Sequence, residues 1–207
     1  MDVSKPYSVI SSPLDVEALL VLRRTTRPLT GRDVARLASR GSTAGIRKAL
    51  ARLTAHGIIQ GEEAGRAILY TINREHLAFP ALEALASMQT ELKRRLSTEI
   101  GDWSLQPNHV SIFGSAARAD GNTSSDIDLF VVRPTGVGEE DPVWREQLAL
   151  LASHTFSWTG NRLAVSEVDT RGLRRLRQER PSVVEDLRED AITLAGRDIN
   201  LKLGGRQ

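Results

Sequence analysis

Phe113-Gly114-Ser115-Ala116-Ala117-Arg118-Ala119-Asp120-Gly121-Asn122-Thr123-Ser124-Ser125-Asp126-Ile127-Asp128-Leu129 is the stretch on which the reading of this chain turns. Val110, Ile112 and Phe113 before it are strand formers. Gly114-Ser115 leads into a short Ala-rich helical run, Gly121 to Ser125 has turn composition, and Asp126 to Val132 predicts a second strand. Side chains alternate faces along a strand, so Asp126 and Asp128 are expected on one face and Ile127 and Leu129 on the other. Two unpaired carboxylates on one face repel each other and resist desolvation. A divalent cation removes that penalty, and hard oxygen ligands suit magnesium. Gly114 lets the backbone approach a ligand closely, Ser115 offers a hydroxyl, and the amides that open the helical run offer donors to an anion. Metal-binding carboxylates beside phosphate donors are the parts that a nucleoside triphosphate and its magnesium require.

Working outward, the 207 residues suit one large or two small domains. There are no cysteines, which excludes disulfides, thiolate zinc sites and cysteine nucleophiles. The opening Met-Asp-Val-Ser-Lys-Pro has no apolar signal-peptide core, and no apolar run approaches membrane-spanning length. The expectation is a cytoplasmic protein with no membrane partner. Net charge is +2 but unevenly spread, at +5 over residues 1–100 and −3 over 101–207. From Arg23 to Arg52 there are nine basic residues against one acid, Asp33. A basic front and an acidic rear suggest two tasks, contact with a polyanion and metal-dependent chemistry.

In the front half, Leu14–Arg24 has the spacing of a helix with one buried face. Thr30 is placed to cap a second helix over 31–39, and Ser42 or Thr43 a third through His56. Ile58-Ile59-Gln60 and Arg66 to Ile72 flank a Gly/Glu-rich turn, a hairpin signal. A connecting helix is expected over 77–100, its stripe of Leu82, Leu85, Met88, Leu92 and Leu96 serving either packing or a homodimer seam. Gly101 to Asn108 reads as a hinge. Behind the paired aspartates, Asp141 is placed to cap a helix through His154, and Arg162–Asp169 predicts a third strand. A basic helix over 171–180 reads as a solvated face, with contact of Arg174, Arg175 and Arg177 to triphosphate or an RNA substrate as the alternative. An amphipathic helix is expected over 181–197.

Phe113-Gly114-Ser115 followed by Asp126-Ile127-Asp128-Leu129 resembles the signature of the nucleotidyltransferase superfamily of DNA polymerase beta type. Three helices and a hairpin over residues 14–76, with Leu29-Thr30-Gly31-Arg32-Asp33-Val34-Ala35 on the second helix, resemble a winged helix-turn-helix domain. The two resemblances imply an α+β protein: a winged domain over 1–78, a connecting helix and hinge over 79–106, and a nucleotidyltransferase domain with a mixed sheet over 107–207. They further imply magnesium held by Asp126 and Asp128, a triphosphate (ATP favoured) bound by Gly114 and Ser115, and DNA met by Ser42, Thr43, Arg47, Lys48 and Arg66. Arg118 and Ser125, in the same stretch, are counted with the nucleotide-binding candidates. The superfamily places a third carboxylate on a neighbouring strand. Glu167 is favoured for it as a catalytic group, and Asp169, which has the look of a helix cap, is the alternative.

The implied activity is transfer of a nucleotidyl group from the triphosphate to an acceptor hydroxyl, on a partner protein such as a toxin or on tRNA, within a self-regulating toxin–antitoxin module. The alternative is a DNA-binding regulator whose nucleotidyltransferase fold senses nucleotide or docks a partner. A Glu167 that points away from the aspartate pair favours that alternative.

Overall fold

The computed structural model describes residues 12–118, 125–179 and 182–199. The expected N-terminal arm, most of the turn at 121–125 and the tail from Leu201 lie outside the described residues. The chain forms two compact units, one over 5–88 and one over 89–207. It is α+β throughout, with a separate sheet in each unit.

The first unit begins with α1 (Pro13–Arg23), started by a proline at its N-terminus and burying Val16, Leu19 and Leu22. The short strand β1 (Leu29–Thr30) runs into α2 (Gly31–Leu37), where the Thr30 hydroxyl accepts from the Asp33 amide. The turn at Gly41 leads to α3 (Thr43–Ala55), capped by Ser42, which accepts from the Gly45 amide. β2 (Ile59–Ala64) and β3 (Ala67–Ile72) make the hairpin, and β1 joins it on the β3 side. Val34, Ile46, Leu50, Leu53, Ile59 and Tyr70 close the core with the buried face of α1.

The expected single helix over 77–100 is two. α4 (Phe79–Ala86) ends at Ser87, whose hydroxyl turns back onto the Ala84 carbonyl. α4 contributes Leu82 to the first core and is tied to α1 by the bidentate Arg23–Glu83 pair. α5 (Met88–Gly101) sets Leu92, Leu96 and Ile100 in the second core. The stripe, expected either to pack on the first unit or to make a homodimer seam, is divided between two cores. Nor is 101–108 a hinge, because Trp103 is buried in the second core and the Gln106 amide donates to the Trp103 carbonyl at 2.6 Å.

In the second unit, β4 (His109–Phe113) is followed by α6 (Gly114–Arg118), β5 (Ile127–Val132), α7 (Pro142–Thr159), β6 (Leu163–Val168), α8 (Thr170–Glu179), α9 (Ser182–Asp190) and β7 (Ile192–Gly196). α7 is capped by Asp141 as expected and stops at Gly160 in the left-handed conformation. The sheet order is β6-β5-β4-β7. β5 is antiparallel to β4 and parallel to β6, and β7 is an antiparallel edge beside β4. The helix expected over 181–197 therefore covers only its first part, since Ile192 to Gly196 is a strand. The β-branched pair Ile192 and Thr193 suits that pairing.

This sheet is covered on both faces. Val110, Ile112, Ile127, Leu129 and Val131 pack with α5 and α7 around the fully buried Trp144. Phe113, Phe130 and Val132 pack on the other side with Leu173 of α8 and with Val184 and Leu187 of α9. No helix among the described residues is long and apolar enough to cross a membrane.

One buried acid fixes the first unit. Glu17 on α1 is 3% exposed, and its carboxylate accepts from the Ser39 amide at 2.9 Å, the Ser39 hydroxyl at 2.8 Å and Arg40 Nε at 3.2 Å. It thereby clamps the turn that aims α3. Glu17→Ala is expected to lower stability by about 2 kcal/mol, the scale of hydrogen bonds to a buried charge. The measurement is the shift in urea midpoint of the full chain at unchanged slope.

Candidate active site

Asp126 is exposed immediately ahead of β5, and Asp128 is half-buried two residues on, so both carboxylates lie on one face. Asp128 stands opposite Phe113 of β4 and Ala164 of β6. Burial raises its pKa, the charge of Asp126 adds to the rise, and Arg118 opposes it.

Gly114 follows β4 at φ +67°. A Cβ at this position would lie 2.8 Å from Oδ2 of Asp128. Only glycine satisfies both the left-handed backbone and the clearance, so the Gly114 main chain and the Asp128 carboxylate are held against each other. Ser115, half-buried, is the next residue in α6. Arg118 ends that helix, where its Nη1 donates to Oδ2 of Asp190 at 2.5 Å. Ser125 is half-buried, and its carbonyl accepts from the Asn161 side-chain amide at 2.9 Å.

Asn161 carries a role that the sequence alone, which shows only a turn there, does not disclose. It is 5% exposed and follows the C-terminus of α7. Its own amide donates to the Thr159 hydroxyl, and its side chain holds the residue that leads into Asp126. With the Ile127 amide bonded to the Arg162 carbonyl, the approach to β5 is pinned at two points. The only signal in the sequence is an asparagine after a helix-ending glycine, which ordinary turns share.

Glu167 is not brought to this site. It pairs in register with Val131, whereas Asp128 pairs with Ala164, so the parallel ladder puts Glu167 on the opposite face of the sheet. There the Trp144 indole N–H donates to its Oε1 at 2.9 Å, and Arg133 Nη1 donates to the same oxygen. The Glu167–Arg133 pair is nearly enclosed, at 12% and 10% side-chain exposure. Asp169 does not replace it, since its carboxylate accepts from the Gly172 amide at 2.5 Å and caps α8, as its position suggested. The β6 residues that share a face with Asp128 are Ala164, Ser166 and Val168. Among the described residues no cluster of three or more acidic, histidine or cysteine side chains is placed to hold a metal.

The residues expected to meet DNA lie in the first unit. Ser42 spends its hydroxyl on the Gly45 amide as the cap of α3. Thr43, Arg47 and Lys48 are exposed on α3, and Arg66 is exposed at the hairpin tip. Arg52, on the same helix, is paired with Asp15 at 2.6 Å. Glu62 and Glu63 are exposed on β2, which makes the hairpin a poor partner for phosphate.

No protein-family model and no curated protein matches the chain. A solved crystal structure of a toxin–antitoxin with AMP-PNP aligns with 54% of this chain and 78% of its own, at 15% identity and a TM-score of 0.35. A likeness of that size assigns neither a fold nor an activity.

The carboxylate pair has a signature in stability. With its pKa raised above the ordinary 3.8, Asp128 binds a proton more readily folded than unfolded. Its contribution is therefore most favourable at low pH and is lost as pH rises through the folded pKa. Asp128→Asn is expected to raise the thermal midpoint of the protein at neutral pH without added metal. That gain should close as pH falls below about 3.8. Magnesium should raise the midpoint of the wild type and leave that of the variant unmoved, which differential scanning calorimetry reads directly.

Proposed function

We propose that the second unit binds a magnesium–nucleoside triphosphate at Asp126 and Asp128 and transfers its nucleotidyl group to an acceptor hydroxyl. The observation that carries this reading is the contact between the Gly114 backbone and the Asp128 carboxylate. It sets the bend that opens α6 directly against one of two neighbouring acids, whose charges favour a cation. The donor set fits magnesium in kind, being carboxylate oxygen throughout. When bound, magnesium supplies charge neutralisation for the triphosphate and the departing pyrophosphate.

The residues of the chain bind and orient. Gly114 and Ser115 take the distal phosphates, Asp126 and Asp128 would hold the magnesium, and Asn161 keeps Asp126 in place through the Ser125 carbonyl. Attack by an acceptor oxygen in line at the α-phosphorus breaks the bridging α–β P–O bond and releases pyrophosphate. The acceptor proton passes to solvent, because β6 presents Ala164, Ser166 and Val168, and no carboxylate, on the face of Asp128. Catalysis of this kind is positioning and charge stabilisation, with no covalent enzyme intermediate.

We also propose that the first unit is a winged helix-turn-helix that reads DNA, with Arg47 and Lys48 on the exposed face of α3 and the acidic hairpin held off the phosphates. Joined in one chain, the two units suit a self-regulating module of toxin–antitoxin type whose acceptor is a partner protein or tRNA. A second reading is favoured by one observation, the position of Glu167 on the far face. On this reading the site senses nucleotide and alters the first unit's partner with little turnover.

Incubation with α-labelled ATP, magnesium and cell extract separates the two readings. Transfer predicts label on protein or RNA with wild type and none with Asp126→Ala/Asp128→Ala. Sensing predicts saturable nucleotide binding without transferred label. Arg47→Ala/Lys48→Ala is expected to weaken binding to promoter DNA and to reduce the slope of log affinity against log salt by about 2, one for each phosphate that is no longer neutralised. An unchanged slope in a filter-binding titration would assign the first unit to protein contact.

A further inference from the structure

α5 and α7 cover the face of the second sheet opposite Asp128, and between them they leave an open cleft of about 550 Å³. Trp103 and Trp158 line it, and Leu150 stands at its edge, 50% exposed. The two helices run antiparallel here. Arg95 lies over the Trp158 ring, His154 pairs with Glu99 at 3.0 Å, and the Ser104 hydroxyl donates to Gln147 at 2.8 Å. Leu92 and Leu96, expected in a homodimer seam, are buried in the core, so the cleft belongs to the other face of α5. An apolar cleft with an exposed leucine at its edge is the kind of surface that an interface covers.

The charges along α5 say what covers it. The helix gives the cleft Arg94, Arg95, Thr98, Glu99 and Asp102. Arg94 stands four positions before Thr98 and Asp102 four positions after it, about 12 Å apart along the helix. Arg94 and Arg95 share one carboxylate, Glu91, which leaves a positive charge at that end. Glu99 and Asp102 lie at the other end, where the helix dipole is negative and the last turn has no basic residue. His154 answers Glu99, whereas Asp102 is exposed and has no side-chain partner among the described residues. Such a bipolar face is complementary to itself turned end for end. A two-fold axis through Thr98 lays α5 antiparallel on α5 of a second copy. Arg94 of each copy then meets Asp102 of the other, and Leu150 of each comes level with Trp158 of the other. One rotation satisfies both charged ends and covers both apolar clefts.

We propose that the α5–α7 cleft is a self-association surface, through which two copies of this chain join in an isologous interface centred on Thr98. The proposal stands apart from the nucleotide and DNA readings, because the cleft contains no residue assigned to either.

The experiment is sedimentation equilibrium of the full chain, with a thermal midpoint for each variant to show that it folds. Wild type is expected to show a concentration-dependent monomer–dimer equilibrium. Arg94→Glu and Asp102→Arg, both at exposed positions, should each weaken it about a hundredfold, about tenfold at each of the two symmetry-related contacts. Mixed in equal amounts, the two variants should recover most of the wild-type affinity. One then carries acids at both ends of the face and the other bases at both ends, so only the mixed pair is complementary. Leu150→Asp should also weaken association, and neither charge variant should rescue it. A wild type that stays monomeric, a dimer indifferent to both charge reversals, or a mixture no tighter than either variant alone overturns the inference.

Discussion

The second unit is built around a steric coincidence at the end of the β4–β5 ladder. Phe113 and Asp128 are register partners, and the residue after Phe113 must turn the chain away from the sheet without touching the Asp128 carboxylate. A Cβ there would intrude to 2.8 Å, and the turn needs a positive φ. Glycine answers both demands, and its use leaves main-chain amides beside an acid. The cost lies in the partial burial of Asp128 next to the charge of Asp126. Arg118 partly offsets it from the end of α6. The local backbone, the partly buried acid and the nearby cation are thus consequences of one close approach.

The same ladder explains what the sequence can and cannot disclose. Asp126, Asp128 and Gly114 are legible because alternation within one strand and the permissiveness of glycine are local properties. Alternation also puts residues 165, 167 and 169 on a common face, but which face they share depends on the register between β6 and β5. In a parallel ladder that register is set by the crossover through α7, and it pairs Glu167 with Val131 instead of aligning it with the acids. A glutamate inside a strand looks catalytic when only its strand is seen. In the folded unit it closes a small polar network with Arg133 and the Trp144 indole against an apolar core.

Helix and strand ends are hard to read for a related reason. The leucine stripe from Leu82 to Leu96 runs through Ser87 without a change of period, so nothing local marks the point where one core gives way to another. The break belongs to the two hydrophobic clusters, which are properties of the whole chain. At the other end, Ile192 and Leu194 fit a helical stripe about as well as an edge strand. The open side of β4 decides in favour of the strand. Caps are more readable: Thr30, Ser42 and Asp141 all accept the amide expected of them, because a cap is decided within three residues.

The remaining question is why a strand should carry two carboxylates on one face with no third acid beside them among the described residues. Burial, with the charge of Asp126 adding to it, raises the proton affinity of Asp128, so the charged carboxylate is disfavoured in the fold near neutral pH. Glu17, by contrast, shows what a structural acid looks like in this chain, with three donors from one turn converging on a single carboxylate. Glu167 follows the same pattern with two donors. Asp126, exposed, and Asp128, half-buried, are instead set near each other, with the Asp128 carboxylate standing where a side chain at Gly114 would intrude. Both structural acids are neutralised by the protein itself, whereas on the proposed reading the charge of the pair is met by a bound cation.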